Sequence, residues 1–249
     1  MTLLGRLIKH LHRPVSIEAI DPAKAYNLWS QQYDMQQGNL MLALDEKLFS
    51  DILCTTDLKD KIVVDIGCGT GRHWWEIISQ QTRAIKGYDV SAGMLKKLKD
   101  KFPDAVICQM ESNLLPQLEN KSIDVIISTL TIAHIEHIEE AFEEWHRVLN
   151  NSGEIIITDY HPAAFVNGGD RTFSYQGQTI AIKNYIHPIN EVCELLQNMG
   201  FDLVSFEEKR IDHSVKHYYE EKNALHVFEK FENVPIIYGM HLKKRNAFT

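Results

Sequence analysis

The segment Val63-Val64-Asp65-Ile66-Gly67-Cys68-Gly69-Thr70-Gly71-Arg72 constrains this chain more than any other. An apolar, β-branched run with little polar alternation reads as a strand covered on both faces. It ends in three glycines at alternate positions, with an acid two residues before the first. Glycine lets the backbone reverse sharply and lets a ligand lie against it with no Cβ in the way. The helical stretch RHWWEIISQ follows. Strand, glycine loop and helix make the repeating unit of open parallel α/β sheets, which bind ligands beyond the carboxyl ends of their strands. A bare turn would need fewer glycines and no aspartate before them.

The same alternation continues through AIKGYDV, SAGMLKKLKDKF, AVICQM, SIDVIIST, EHIEEAFEEWHRVL and EIIITDY. Residues 61–160 therefore predict the core of a Rossmann-like, doubly wound, mostly parallel sheet. Ahead of it, Leu3, Leu4, Leu7, Ile8 and Leu11 recur at helical spacing. A second helix should start at Asp21-Pro22, with the acid as cap and proline in the first turn. A third should run over about residues 39–53. Beyond Tyr160, RTFSYQGQTIAIKNY predicts a hairpin turning at Gln176-Gly177. INEVCELLQNMG predicts a helix closed by Gly200. FDLVSFEEKR and VPIIYGMHLKK predict two further strands at the sheet edge, with residues 211–233 partly helical. The expectation is a single α/β domain over residues 1–249 with a seven-stranded sheet.

Composition excludes several functions. With 26 basic against 34 acidic residues, the net charge of −8 disfavours nucleic-acid backbone binding, which draws on Lys and Arg. Lys96, Lys97, Lys99 and Lys101 crowd one helix end, where cations suit the dipole, and read as a solvated face. No apolar run reaches the roughly 20 residues of a membrane span, and MTLLGRLIKHLHRP is too interrupted by charge for a signal peptide. Cys54, Cys68, Cys108 and Cys193 form no CxxC pair, so a reducing, cytoplasmic setting is expected. The pairs His134/His137 and His213/His217 come without an HExxH, and no metal site is expected. The chain leaves its oligomeric state open.

Asp89 ends the next strand, 22 residues after Gly67. An acid at that distance from a glycine loop accepts from ribose hydroxyls in Rossmann-like sheets, although Asp89 or Ser91 could equally cap the following helix. A nicotinamide fingerprint would put its last glycine where Arg72 stands, which argues against an NAD-dependent oxidoreductase.

The ordered motifs D-I-G-C-G-T-G, G-Y-D-V-S-x-x-M-L, M-E-S-N-L-L-P and S-I-D-V-I-I-S resemble the class I S-adenosylmethionine-dependent methyltransferases. The similarity is greatest to the small-molecule branch that includes quinone and biotin-pathway enzymes. It spans residues 61–160, with a weaker echo in residues 25–34, and implies that residues 1–60 form a helical N-terminal lid and that residues 160–235 cover the substrate, with a small insertion after strand five. The resemblance implies methyl transfer from S-adenosylmethionine to a small organic acceptor on O, N or C, leaving S-adenosylhomocysteine. By this likeness Asp65 and the backbone of Gly67, Cys68, Gly69, Thr70 and Gly71 face the methionine part. Asp89 binds the ribose, and Val90 and Met94 line the adenine. Glu111, with Ser112 and Asn113, stands where the family usually has an aspartate accepting from the adenine amino group.

Thr129, at the end of strand four, would also face the cofactor. Tyr26 and Tyr33 would touch the methionine carboxylate or the sulfonium methyl, or else form a packed aromatic face. Gln31, Gln32, Gln36, Gln37 and Gly38 interrupt the apolar periodicity and would leave the lid weakly anchored at that end. His134 and His161, leaving strands four and five, are the candidates for a general base, and each could instead be structural. Trp74, Trp75 and Trp145 read as core. A nucleic-acid methyltransferase would want a basic surface, which is missing. A non-catalytic cofactor-binding protein would keep every one of these binding motifs.

Overall fold

The computed structural model describes residues 18–36 and 38–245; the helix expected over residues 3–11 lies outside them. In chain order the elements are β1 (Ala19–Ile20), α1 (Pro22–Trp29), α2 (Leu40–Leu53), β2 (Ile62–Ile66), α3 (Trp74–Ser79), β3 (Ala84–Asp89) and α4 (Ala92–Lys101). Then come β4 (Val106–Gln109), β5 (Ile123–Thr129), α5 (Ile138–Val148), β6 (Leu149–Tyr160) and α6 (Pro162–Val166). The chain continues with β7 (Thr172–Tyr175), β8 (Gln178–Ile182), α7 (Ile189–Asn198), β9 (Phe201–Arg210), α8 (Lys216–Glu220), α9 (Leu225–Phe231) and β10 (Pro235–Lys244).

Seven strands form one sheet in the order β4-β3-β2-β5-β6-β10-β9. Only β10 runs antiparallel to its neighbours. Consecutive residues of the central strands enter opposite cores. Val63, Val125, Ile127 and Ile156 pack with Phe49, Trp74 and Leu98, whereas Val64, Ile126, Ile155 and Ile157 pack with Phe142, Trp145 and Leu196. That two-sided burial is why these strands lack polar alternation. The two C-terminal strands were expected together at the edge. In fact β10 is inserted between β6 and β9, leaving β9 as the edge strand. A Cβ on Gly239 would stand 2.8 Å from Ile52, so β10 lies tight against α2.

Local signals act as read. Asp21 accepts from the Ala23 amide at 2.9 Å, with Pro22 in the first turn of α1. Asn39 accepts from the Met41 amide at 3.1 Å and caps α2. The hairpin turns at Gln176 and Gly177, both with positive φ (49° and 77°).

Two expectations need correction. Trp75 is 65% exposed and lies over the Phe102 ring at 4.6 Å, because its neighbour Trp74 takes the inward position on α3. The end of the N-terminal segment is not weakly anchored. Asp34 accepts from Thr70 Oγ1 at 2.6 Å and from Lys101 Nζ at 3.1 Å, tying the segment to the glycine loop and to α4. A second sheet, β1-β8-β7, joins the N-terminal segment to the insertion after β6, and Trp29 stacks on Phe173 at 4.7 Å. Among the described residues, no helix is long and apolar enough to cross a membrane.

Candidate active site

The strand order reverses between β2 and β5, so the loops leaving their carboxyl ends part there. A cavity of about 470 Å³ opens at that point, within the roughly 300–1,000 Å³ of small-molecule sites. Gly67, Gly69 and Gly71 all hold positive φ (72°, 54° and 71°). A Cβ on Gly67 would stand 2.0 Å from Thr131 Oγ1, so the two loops meet over glycine backbone. Gly67 and Gly69 line the cavity. Gly71 does not: it is small because Leu98 of α4 and Phe102, just after that helix, press on it. The Cys68 side chain likewise turns into the core beside Gly87 and Trp74, where burial pushes its thiol pKa up.

Asp65 is buried at the end of β2. Its Oδ2 accepts from Trp74 Nε1 at 2.8 Å, while its Oδ1 is buried without a partner. Burial raises its pKa to about 7. An acceptor atom left without a donor suits a cationic amine brought by a ligand. Asp89 lies 20 residues from its partner Gly69, whose amide donates to Oδ2 at 2.8 Å, and the Ser91 amide donates to Oδ1 at 2.7 Å. Burial raises the Asp89 pKa to about 6. Ser91, not Asp89, caps α4, accepting from the Met94 amide at 3.1 Å. Each carboxylate oxygen has a second lone pair, so Asp89 can still accept from the cavity that it lines. Val90, Met94, Glu111, Ser112, Asn113 and Thr129 line the same cavity.

A small recess of about 30 Å³ shares Tyr33, Gly67, Gly69 and Thr129 with the main cavity and adds Asp65, Thr70 and Arg72. It thus carries an acid and a base, the pattern that an α-amino acid zwitterion would meet. Arg72 is held by Asp45 on α2 and donates to the Leu42 carbonyl at 3.3 Å. Asp45 also bonds His73 at 2.9 Å and accepts from Thr158 on β6. Burial alone would raise the Asp45 carboxyl pKa, but Arg72 and these bonds outweigh it and hold the carboxyl well below the usual range.

Tyr26 and Tyr33 both line the main cavity, as does His134. The His134 Nδ1–H donates to the Lys183 carbonyl at 2.9 Å, which leaves Nε2 to accept from the Tyr26 hydroxyl at 3.0 Å. Burial, then the nearby Arg171, pushes the His134 pKa well down, so the ring is neutral. The expectation that His161 faces the substrate is corrected. Its Nδ1 accepts from the Ala163 amide at 3.1 Å, capping α6, and its Nε2 lies 3.4 Å from Glu208 on the edge strand. Pro162 starts a helix at once, and the histidine is used to cap it.

Two features gave no signal in the sequence. Arg171, which begins the hairpin, is 4% exposed and lines the cavity. Asn27 on α1 accepts from Ser91 Oγ at 2.9 Å and from the Gly93 amide at 2.8 Å, docking α1 on the start of α4. Among the described residues no cluster of three His, Cys, Asp or Glu could hold a metal.

Comparison with known proteins agrees with this geometry. The family described as "Methyltransferase domain" matches residues 64–157. An uncharacterised methyltransferase of Emericella nidulans is 26% identical over 226 residues, covering 76% of this chain and 78% of that one. The ubiquinone/menaquinone biosynthesis C-methyltransferase UbiE of Campylobacter jejuni is 32% identical over 108 residues, covering 41% of this chain and only 46% of that enzyme. Among solved structures, an S-adenosylmethionine-dependent methyltransferase from Mesorhizobium loti superposes with a TM-score of 0.60 at 16% identity, covering 76% of this chain and 93% of that one. The [4+2]-cyclase SpnF superposes with a TM-score of 0.68 at 16% identity, covering 92% and 98%. At such identities the structural likeness establishes the fold, and a cyclase on the same fold shows that chemistry must be argued from the site.

Proposed function

We propose that this chain, a class I S-adenosylmethionine-dependent methyltransferase by its domain match and its fold, methylates a small organic acceptor on oxygen, nitrogen or carbon. The observation that carries this reading is the buried, unpartnered Oδ1 of Asp65 beside the glycine loop. When bound, S-adenosylmethionine supplies an electrophilic methyl group on a cationic sulfur. Asp65 would accept from its ammonium group, Arg72 would meet its carboxylate, and Asp89 would accept from the ribose hydroxyls. Val90 and Met94 would line the adenine, and Glu111, with Ser112 and Asn113 beside it, would accept from its amino group. Tyr26 and Tyr33 would hold the methionine carboxylate or the sulfonium methyl, and Thr129 would face the cofactor.

Methyl transfer is an in-line displacement, so this chain acts mainly by positioning, worth up to roughly 7–11 kcal/mol in favourable intramolecular cases. A base is needed only when the acceptor is protonated at working pH. In this reading His134 is not that base, because its lone pair already holds Tyr26 and its charged form is disfavoured. It orients the Tyr26 hydroxyl over the cavity. The chain acts as one domain in which α1 and the β7–β8 hairpin cover the site. The net charge supports a small acceptor over a nucleic acid, and four free cysteines support a cytoplasmic setting. Calorimetric titration tests the proposal. S-adenosylmethionine and S-adenosylhomocysteine should both bind and NAD should not; heat with NAD alone would overturn it.

A further inference from the structure

Arg171 is a buried, charged residue of the cavity to which the cofactor reading gives no role. Its guanidinium is buried, and Nη1 has no hydrogen-bond partner. A buried cation is costly unless an anion or several acceptors meet it. Here only aromatic faces do so: the guanidinium carbon lies 4.8 Å from the Tyr160 ring centre and 5.8 Å from that of Tyr26. Asp159, whose charge acts on Arg171, places its two oxygens on the amides of Ala133 at 2.9 Å and Tyr160 at 2.7 Å. No ion pair joins it to Arg171 among the described residues. The rigid fork of an arginine matches a carboxylate with two parallel hydrogen bonds.

Two sources could supply that carboxylate, the cofactor's methionine end or the methyl acceptor. Arg171 does not line the recess where Asp65 and Arg72 face each other. It lines the main cavity with Tyr26 and His134. We infer that Arg171 anchors a carboxylate of the methyl acceptor, making this a methyltransferase of small carboxylic acids. One unpaired cation near Asp159 suits a monoanion better than a doubly charged phosphate. This rests on the methyl-transfer reading above.

The test begins with the intact protein saturated with S-adenosylhomocysteine, whose binding checks that reading separately. Acetate, benzoate and indole-3-acetate are then titrated, each beside its neutral amide. At least one acid should saturate the site and bind about tenfold or more tighter than its amide, as a charge-assisted pair gives. No preference for any acid would overturn the inference. In Arg171→Gln the preference should vanish while S-adenosylhomocysteine affinity stays within about threefold. In Arg171→Lys, which keeps the charge, a weaker preference should remain. If both variants lose affinity for S-adenosylhomocysteine but keep it for 5′-methylthioadenosine, which lacks the amino-acid end, Arg171 serves the cofactor's own carboxylate. The inference then falls while the methyltransferase reading stands.

Discussion

Asp65 lines the recess and Asp89 the main cavity, each with its charge held back by burial, at pKa values of about 7 and about 6. In the folded chain both values lie above the ordinary carboxylate range near 3.9, so between about pH 4 and 7 the folded state binds more protons than the unfolded one. These two groups therefore make the empty protein less stable as pH rises through that window. Asp65→Asn should flatten that part of a melting-temperature profile; an unchanged slope would contradict the assignment. An ammonium ligand needs Asp65 ionised, so S-adenosylhomocysteine should bind more tightly at pH 7.5 than at pH 5.5, by up to about tenfold per unit below the pKa. Calorimetry at the two values reads this directly. Asp65→Asn should also weaken S-adenosylhomocysteine by about tenfold or more and leave 5′-methylthioadenosine nearly unchanged. Equal losses for both ligands would mean that Asp65 only shapes the loop. Asp65 and Asp89 were legible in the sequence because their spacing from the glycines is local and repeated in the fold class. Arg171 and Asp45 were not, because what defines them arrives from far along the chain, as Thr158 does at 113 residues from Asp45.

At the scale of elements, Asn27 supplies the hydrogen bonds that dock α1 on the start of α4, where Met94 also packs with Ala25 and Trp29. Asn27→Ala removes two hydrogen bonds, each worth about 0.5–1.5 kcal/mol. The melting temperature should fall by about 2–4 °C per kcal/mol lost in a chain of this size. The two-residue β1 ladder ties this helix to the β7–β8 hairpin, so the two should move as a unit. Hydrogen exchange with and without S-adenosylhomocysteine should show protection rising together over residues 22–34 and 172–182. Protection of the glycine loop alone would make α1 a static support. Helix caps at Asp21 and Asn39 could be read from sequence because a cap is local chemistry. The second sheet could not: two residues carry no periodicity, and their partner lies beyond the whole core. His161 was misread for a related reason, since the same X-Pro step that exposes a loop residue also starts a helix.

For the whole molecule, the central buried network is Asp45 with Arg72, His73 and Thr158, which links α2, the glycine loop and β6. Asp45→Asn leaves Arg72 uncompensated, and chemical denaturation should show a loss of about 3–5 kcal/mol, as for other broken buried pairs. Because the Asp45 pKa is depressed, its contribution is present above the ordinary carboxylate value and is lost as pH falls further. The parallel core was legible because strands buried on both faces write continuous apolar runs. The place of β10 inside β9 was not, since both strands alternate in the same way and only packing against α2 decides which goes inward. A crystal structure of the S-adenosylhomocysteine complex would show whether the cavity at the reversal of strand order, with its recess, is the S-adenosylmethionine site. The ligand's amino group should lie within hydrogen-bond distance of Asp65 Oδ1 and its ribose hydroxyls on Asp89. A ligand seated elsewhere, or one that leaves Asp65 Oδ1 without a donor, would contradict it.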